Sequence, residues 1–271
     1  MDKQMNRVAP FGQVKLSGFN NLTKALSFNL YDFCIARNDD ERESYKKYIQ
    51  ETYNAAKVTE VLKGICNIIE ADVLAVSDQD YEPWGSSSMV LMSDIKGSGV
   101  GESGDGSEDN KAKANVKMHL DKSHICSHTY PDFDMGGEIC SFRIDIDIAT
   151  CGEISPLTAL NYMLEAFDND VVVIDYVVRG FTRDIDGNPV YMDHEVKTIQ
   201  DYIKDETLTD YYCRDLVLQN DNIWQTKMLR VNMDKSSYFA NPSEIDLNNP
   251  ETERLIDMVK KEMYNVLHMI P

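Results

Sequence analysis

Between His119 and Asp132 the chain carries Ser123, three histidines (His119, His124 and His128) and Cys126, and Cys151-Gly152 follows where a later strand pattern stops. A packed strand does not need so many reactive side chains. A serine hydroxyl becomes a useful nucleophile when a base or strained geometry activates it, and His124, His128 and Lys122 are close in sequence to Ser123. A cysteine at a strand end can meet solvent and act as a proton donor near its pKa. By residue type alone, plainer roles stay open: Ser123 as a strand serine and Cys151 as a small core residue. If residues 124–128 were helical, His124 and His128 would share a face and could ligate zinc. Ile125, Thr129, Tyr130 and Pro131 point instead to an extended segment. There, His124, Cys126, His128 and Tyr130 share one face, and no HExxH-type signature is present.

The elements that must hold these residues read as follows. Leu22, Ala25, Leu26, Leu30, Phe33 and Cys34 approximate a helical stripe over 22–35. Asp39-Asp40-Glu41 places acids at a helix start, and Tyr45 through Ile69 reads as one or two long helices. Strands are expected at 72–77 and 88–92, joined by the turn-rich Asp78–Gly85. Residues 97–110 are rich in glycine and acids, so a mobile loop is expected. Phe142, Ile144, Ile146 and Ile148 alternate with Arg143, Asp145, Asp147 and Ala149, a strand with one buried face. Ser155-Pro156 opens a helix through Leu160, Leu164 and Phe167, and 171–182 reads as a strand. Asp186-Gly187 marks a hairpin turn. Residues 200–250 are mixed in pattern, and 251–269 form an amphipathic terminal helix. The fold class is α+β: an α/β sandwich, with a mainly antiparallel sheet and helices packed on one face.

Composition narrows the function. The 271 residues can bury a real core in one large domain or two small ones. With 27 Lys+Arg against 46 Asp+Glu, the net charge is -19, a poor match for nucleic acid. The longest aliphatic run, Val171 to Ile174, is far too short to span a bilayer, so no membrane partner is expected. The first ten residues have no apolar signal-peptide core, and the six cysteines form no Cys-x-x-Cys pair. A cytoplasmic protein with reduced thiols is expected.

The run Lys122-Ser-His-Ile-Cys-Ser-His-Thr-Tyr-Pro-Asp132 with Cys151-Gly152 resembles the prokaryotic pyruvoyl-dependent S-adenosylmethionine decarboxylases, whose shared pattern is Ser-His-x-x-x-His-Thr-(aromatic)-Pro-acid followed by Cys-Gly. Pro83-Trp84-Gly85-Ser86-Ser87 matches an upstream Pro-x-Gly-x-Ser element. Gly18–Lys24, His119–Ser123 and Arg179–Asp184 match the longer bacterial subgroup, and the resemblance covers residues 13–269. It implies a proenzyme that cuts itself between Lys122 and Ser123 into a β chain, 1–122, and an α chain, 123–271. Ser123 would become a pyruvoyl group, which decarboxylates S-adenosylmethionine for spermidine synthesis through a Schiff base. By the same resemblance, His128 removes the Ser123 α-proton during processing and Ser87 stabilises the processing intermediate. Cys151 protonates the substrate, and Tyr81 and Glu82 bind it. An oligomer of (αβ) units and activation by Mg2+ are implied too, with no motif to locate the ion.

Ser123 and His128 are five residues apart and would face opposite sides of a regular strand. A turn, bulge or break near residue 123 is therefore expected to bring them together. Two rivals share the motifs: the same chemistry on ornithine or arginine, and a regulatory homologue that never cleaves itself.

Overall fold

The computed structural model describes residues 16–20, 22–93, 122–133, 137–151, 154–184, 186–190 and 196–270. Eight antiparallel strands form the main sheet: β2 (Thr23–Ile35), β3 (Asp72–Asp80), β4 (Ser86–Ser93), β5 (Lys122–Asp132), β6 (Ile139–Cys151), β7 (Val171–Arg179), β10 (Tyr211–Leu218) and β11 (Ile223–Arg230). Their order is β10-β11-β7-β2-β6-β5-β4-β3. A three-stranded sheet joins β1 (Leu16–Asn20), β8 (Thr182–Asp184) and β9 (Pro189–Val190). The hairpin expected at Asp186-Gly187 is the β8–β9 pair, with Gly187 in the left-handed region at φ 85. The mobile loop expected at 97–110 lies outside the described residues.

The first stripe of the sequence is not a helix. Residues 23–35 form β2, the strand between β6 and β7 at the centre of the sheet. Leu22, Leu26, Leu30 and Cys34 recur every four residues, which suits a helix, but four is also a multiple of the strand period. Phe28 completes the two-residue alternation. Polar Ser27 and Asn29 occupy the other face of the strand, as its alternating burial requires.

Helices begin where asparagine can cap them. Asn38, Asn54 and Asn249 accept main-chain N–H bonds from Glu41, Lys57 and Glu251 at the starts of α1 (Asp39–Thr52), α2 (Ala55–Ile68) and, after two short helices, α5 (Pro250–His268). Each such cap contributes about 1 kcal/mol. The short ones are α3 (Leu160–Ala166) and α4 (Asp205–Leu208). Val58, Leu62 and Ile65 of α2 and Leu160 and Met163 of α3 pack on Leu26, Phe28, Leu30, Ile125, Ile144, Ile146 and Ile148 in one buried cluster.

The layered α+β class holds, but one helix departs from the single-face expectation. Leu255, Ile256, Val259, Met263 and Leu267 of α5 pack with Phe33, Ile35 and Val171 in a second cluster. Phe33 and Ile35 point away from the face that carries Leu26 and Phe28, by strand alternation. So α5 covers part of the opposite face, and Lys227 donates from Nζ to the carbonyl of Leu267 at 2.9 Å to tie it there.

Candidate active site

β5 is an unbroken strand. It pairs with β4 from Ser87↔His128 to Ser93↔Lys122 with no shift of register. Burial alternates along it: Ser123, Ile125, Ser127 and Thr129 are buried, while His124, His128 and Tyr130 are exposed. No turn or bulge turns Ser123 towards His128. Five steps of strand separate them by about 16 Å, on opposite faces. The expected convergence within one chain is therefore corrected: the β-branched and aromatic residues of 125–130 hold the segment straight between two strands, and the side chains keep strict alternation. As expected of an extended segment, His124, Cys126, His128 and Tyr130 share the open face.

The site residues named from sequence fall into two groups. The first gathers where β5 begins and β6 ends. Ser123 is 1% exposed, and its Oγ accepts the main-chain N–H of Cys151 at 3.1 Å. Lys122 pairs with Ser93, at the end of the ladder. Two strands over, Lys24 is wholly buried opposite Thr150. Sequence reasoning noted Lys24 only inside a matching block, yet a buried lysine is rare enough to mark the spot.

The second group lies at the other end of β5. Ser87 of β4 is directly opposite His128, on the open face. The turn before it carries Tyr81, Glu82 and Trp84, which line a cavity of about 270 Å³ with Tyr53, Asp80, Thr129 and Phe133. Gly85 makes this turn possible. Its φ is +98, and a Cβ there would sit 3.0 Å from the Thr129 carbonyl oxygen. The Ser86 N–H then donates to Thr129 Oγ1 at 2.6 Å, and the Tyr81 N–H to the Gly85 carbonyl at 2.8 Å.

Beyond His128 on the same face are residues that the sequence marked only as the polar side of a strand. Asp145 of β6 is directly opposite His128. Arg143 Nε donates to Asp145 Oδ1 at 2.7 Å. Burial opposes the charge of Arg143, but the hydrogen bonds and charge of Asp145 outweigh it and raise the pKa. Cys126 lies one row along, opposite Asp147; burial, then the Asp147 charge, pushes its thiol up. Among the described residues, no group of three or more His, Cys, Asp or Glu is placed to hold a metal ion, so no step is assigned to Mg2+. Among them, too, no helix is long and apolar enough to cross a membrane.

Comparison with known proteins shows the family. The sequence model of the S-adenosylmethionine decarboxylase family matches residues 47–180. The S-adenosylmethionine decarboxylase proenzyme of Clostridium perfringens strain SM101 is 44% identical over 258 residues, covering 94% of this chain and 95% of its own. That of Photorhabdus laumondii is 43% identical over 262 residues, covering 94% and 97%. A crystal structure of the Aquifex aeolicus adenosylmethionine decarboxylase covers 61% of this chain and 90% of its own at 16% identity; its TM-score of 0.33 is too low to bear on the site.

Proposed function

The chain belongs to the S-adenosylmethionine decarboxylase family, and from that premise we propose that it matures by cutting itself between Lys122 and Ser123 and acts with a pyruvoyl group made from Ser123. The reaction is decarboxylation of S-adenosylmethionine, releasing CO2 and leaving the aminopropyl donor used for spermidine synthesis. One observation carries the assignment of the centre: Ser123 Oγ accepts the main-chain N–H of Cys151 at 3.1 Å, so the residue to be consumed lies against the backbone of the cysteine. That contact suits a group built on residue 123.

When formed, the pyruvoyl group supplies a ketone beside an amide carbonyl, an electron sink for the bond that releases CO2. The chain's own residues do the rest. Cys151 holds the proton that goes to the substrate α-carbon. Tyr81 offers a π face to the adenine and the sulfonium, and Glu82 adds a carboxylate beside it. During maturation His128 takes the Ser123 α-proton, and Ser87 donates a hydrogen bond to the developing oxyanion.

A single chain keeps His128 and Ser87 about 16 Å from Ser123 on the opposite face, so these roles require a second copy. We place the enzyme as a homo-oligomer of (αβ) units. In it, the Ser87–His128 group of one copy completes the Ser123–Cys151 group of its neighbour. The six free cysteines suit a reducing compartment, consistent with a cytoplasmic enzyme.

Intact-mass measurement of the purified protein tests the maturation. Two chains are expected, the second beginning at residue 123 with a blocked end, together with labelled CO2 release from S-adenosylmethionine. A single 30.9 kDa chain that releases no CO2 would contradict the proposal. Release from ornithine or arginine alone would contradict the substrate.

A further inference from the structure

His128 has a direct cross-strand neighbour on each side: Ser87 on β4 and Asp145 on β6. Opposed residues of an antiparallel pair keep their Cβ atoms about 4.5–5.5 Å apart. A serine, a histidine and an aspartate therefore form one row across three adjacent strands of the open face.

Asp145 is not a loose surface acid. Its side chain is 14% exposed, and Arg143 grips both oxygens, Nε to Oδ1 at 2.7 Å and Nη2 to Oδ2 at 2.5 Å. Arg143 is itself fixed. Its guanidinium lies 5.5 Å from the Tyr31 ring and 5.2 Å from the Tyr130 ring. Tyr130 in turn stacks beside the His128 imidazole, with ring centroids 6.4 Å apart and planes at 28°. So the carboxylate, the cation, the phenol ring and the imidazole follow one another in a connected chain, Asp145–Arg143–Tyr130–His128, and the strand register brings its two ends opposite each other. A carboxylate offers about four acceptor directions, and the grip of Arg143 leaves capacity free on both oxygens.

We propose that Asp145 is a positioning residue for His128 in self-cleavage. It orients the imidazole across the sheet and fixes which ring nitrogen carries the proton, so that the other presents its lone pair. This rests on the reading of His128 as the processing base. In that step the Ser123 Cα–H bond breaks and the proton goes to the imidazole. The electron pair forms the Cα=Cβ bond as the ester oxygen leaves with the Lys122 carboxylate. A neutral imidazole has one donor and one acceptor nitrogen, and the partner of the donor decides which is which. The wrong tautomer would point an N–H where a lone pair is needed. Of the other groups near this face, Asp147 lies opposite Cys126, and Ser87 is left to the oxyanion.

The test follows cleavage of the full chain after pulse-labelled synthesis, for wild type, H128A, D145N and D145E. Alongside it, the imidazole nitrogen resonances of His128 are read in the processing-blocked S123A chain with and without D145N. D145N is expected to slow cleavage roughly tenfold or more, D145E to recover most of the rate, and D145N to convert one dominant His128 tautomer into a mixture. If H128A stalls while D145N cleaves at the wild-type rate, the role of Asp145 is overturned and the base survives. If D145N and D145E are equally slow and the tautomer is unchanged, Asp145 merely packs, and the proposal fails. If H128A itself cleaves normally, the base reading falls and takes this proposal with it.

Discussion

The two faces of the main sheet do different work. One is closed by α1, α2 and α3 over an aliphatic layer of Leu26, Phe28, Leu30, Ile144, Ile146 and Ile148. The other, beyond the reach of α5, carries Ser87, His124, Cys126, His128, Arg143 and Asp145. Ser123 belongs to the closed face, and His128 to the open one. The difference shows how five steps along a strand separate two functional groups instead of joining them. Strand parity keeps them apart within one chain, and the proposed chemistry between them then needs another copy.

Substitutions can sharpen that contrast. The largest effect belongs to Ser123→Ala, which is expected to leave one uncut chain on a denaturing gel, because no hydroxyl remains to attack the Lys122 carbonyl. His128→Ala should slow cleavage by about 10²–10⁴-fold while leaving thermal stability unchanged, since an exposed imidazole supports no core. Loss of stability in that variant would mean that the open face is structural. Cys151→Ser should spare the cut but lower CO2 release by about a hundredfold, the scale of a lost proton donor. On the closed face the balance reverses. Ile146→Ala should cost about 2–5 kcal/mol in denaturant unfolding, with cleavage following only the loss of folded protein.

The smallest effect concerns a buried acid at the margin of both clusters. Asp170 accepts the Phe33 N–H at 3.0 Å and the Tyr238 hydroxyl at 2.5 Å, and burial pushes its pKa up to about 6. An unfolded aspartate titrates near about 3.9, so the folded chain binds the proton more tightly. Its contribution is therefore full below about 4 and declines as pH rises towards about 6. Asp170→Asn should flatten the dependence of Tm on pH across that window. An unchanged slope would assign it to the other carboxylates.

Much of the closed face was legible from sequence, because alternation in 142–148 and helical spacing in 45–69 have a single solution each. β2 was not. Its leucines satisfy both periods, and only its place between β6 and β7 decides between them. The mixed stretch 200–250 resolves into α4, the β10–β11 hairpin and short turns, and the hairpin joins the sheet only through the pairing of β11 with β7, much earlier in the chain. In the candidate site, the family resemblance named Ser87, Ser123, His128 and Cys151, while Asp145 was hidden. Nothing in an alternating strand tells which polar residue will stand opposite a histidine until the register with β5 is fixed. Parity did warn that Ser123 and His128 diverge. The expected bulge is absent because 122–128 pairs with β4 and 124–132 with β6, each without a shift of register.

Co-expression of two blocked chains tests the central claim most directly. One chain carries Ser123→Ala and keeps His128; the other, distinguished by a tag, carries His128→Ala and keeps Ser123. If the centre is shared between copies, the tagged chain is cut at residue 122 when both are present and stays whole when expressed alone. A tagged chain that remains uncut in the mixed oligomer would contradict the account and return both roles to a single chain.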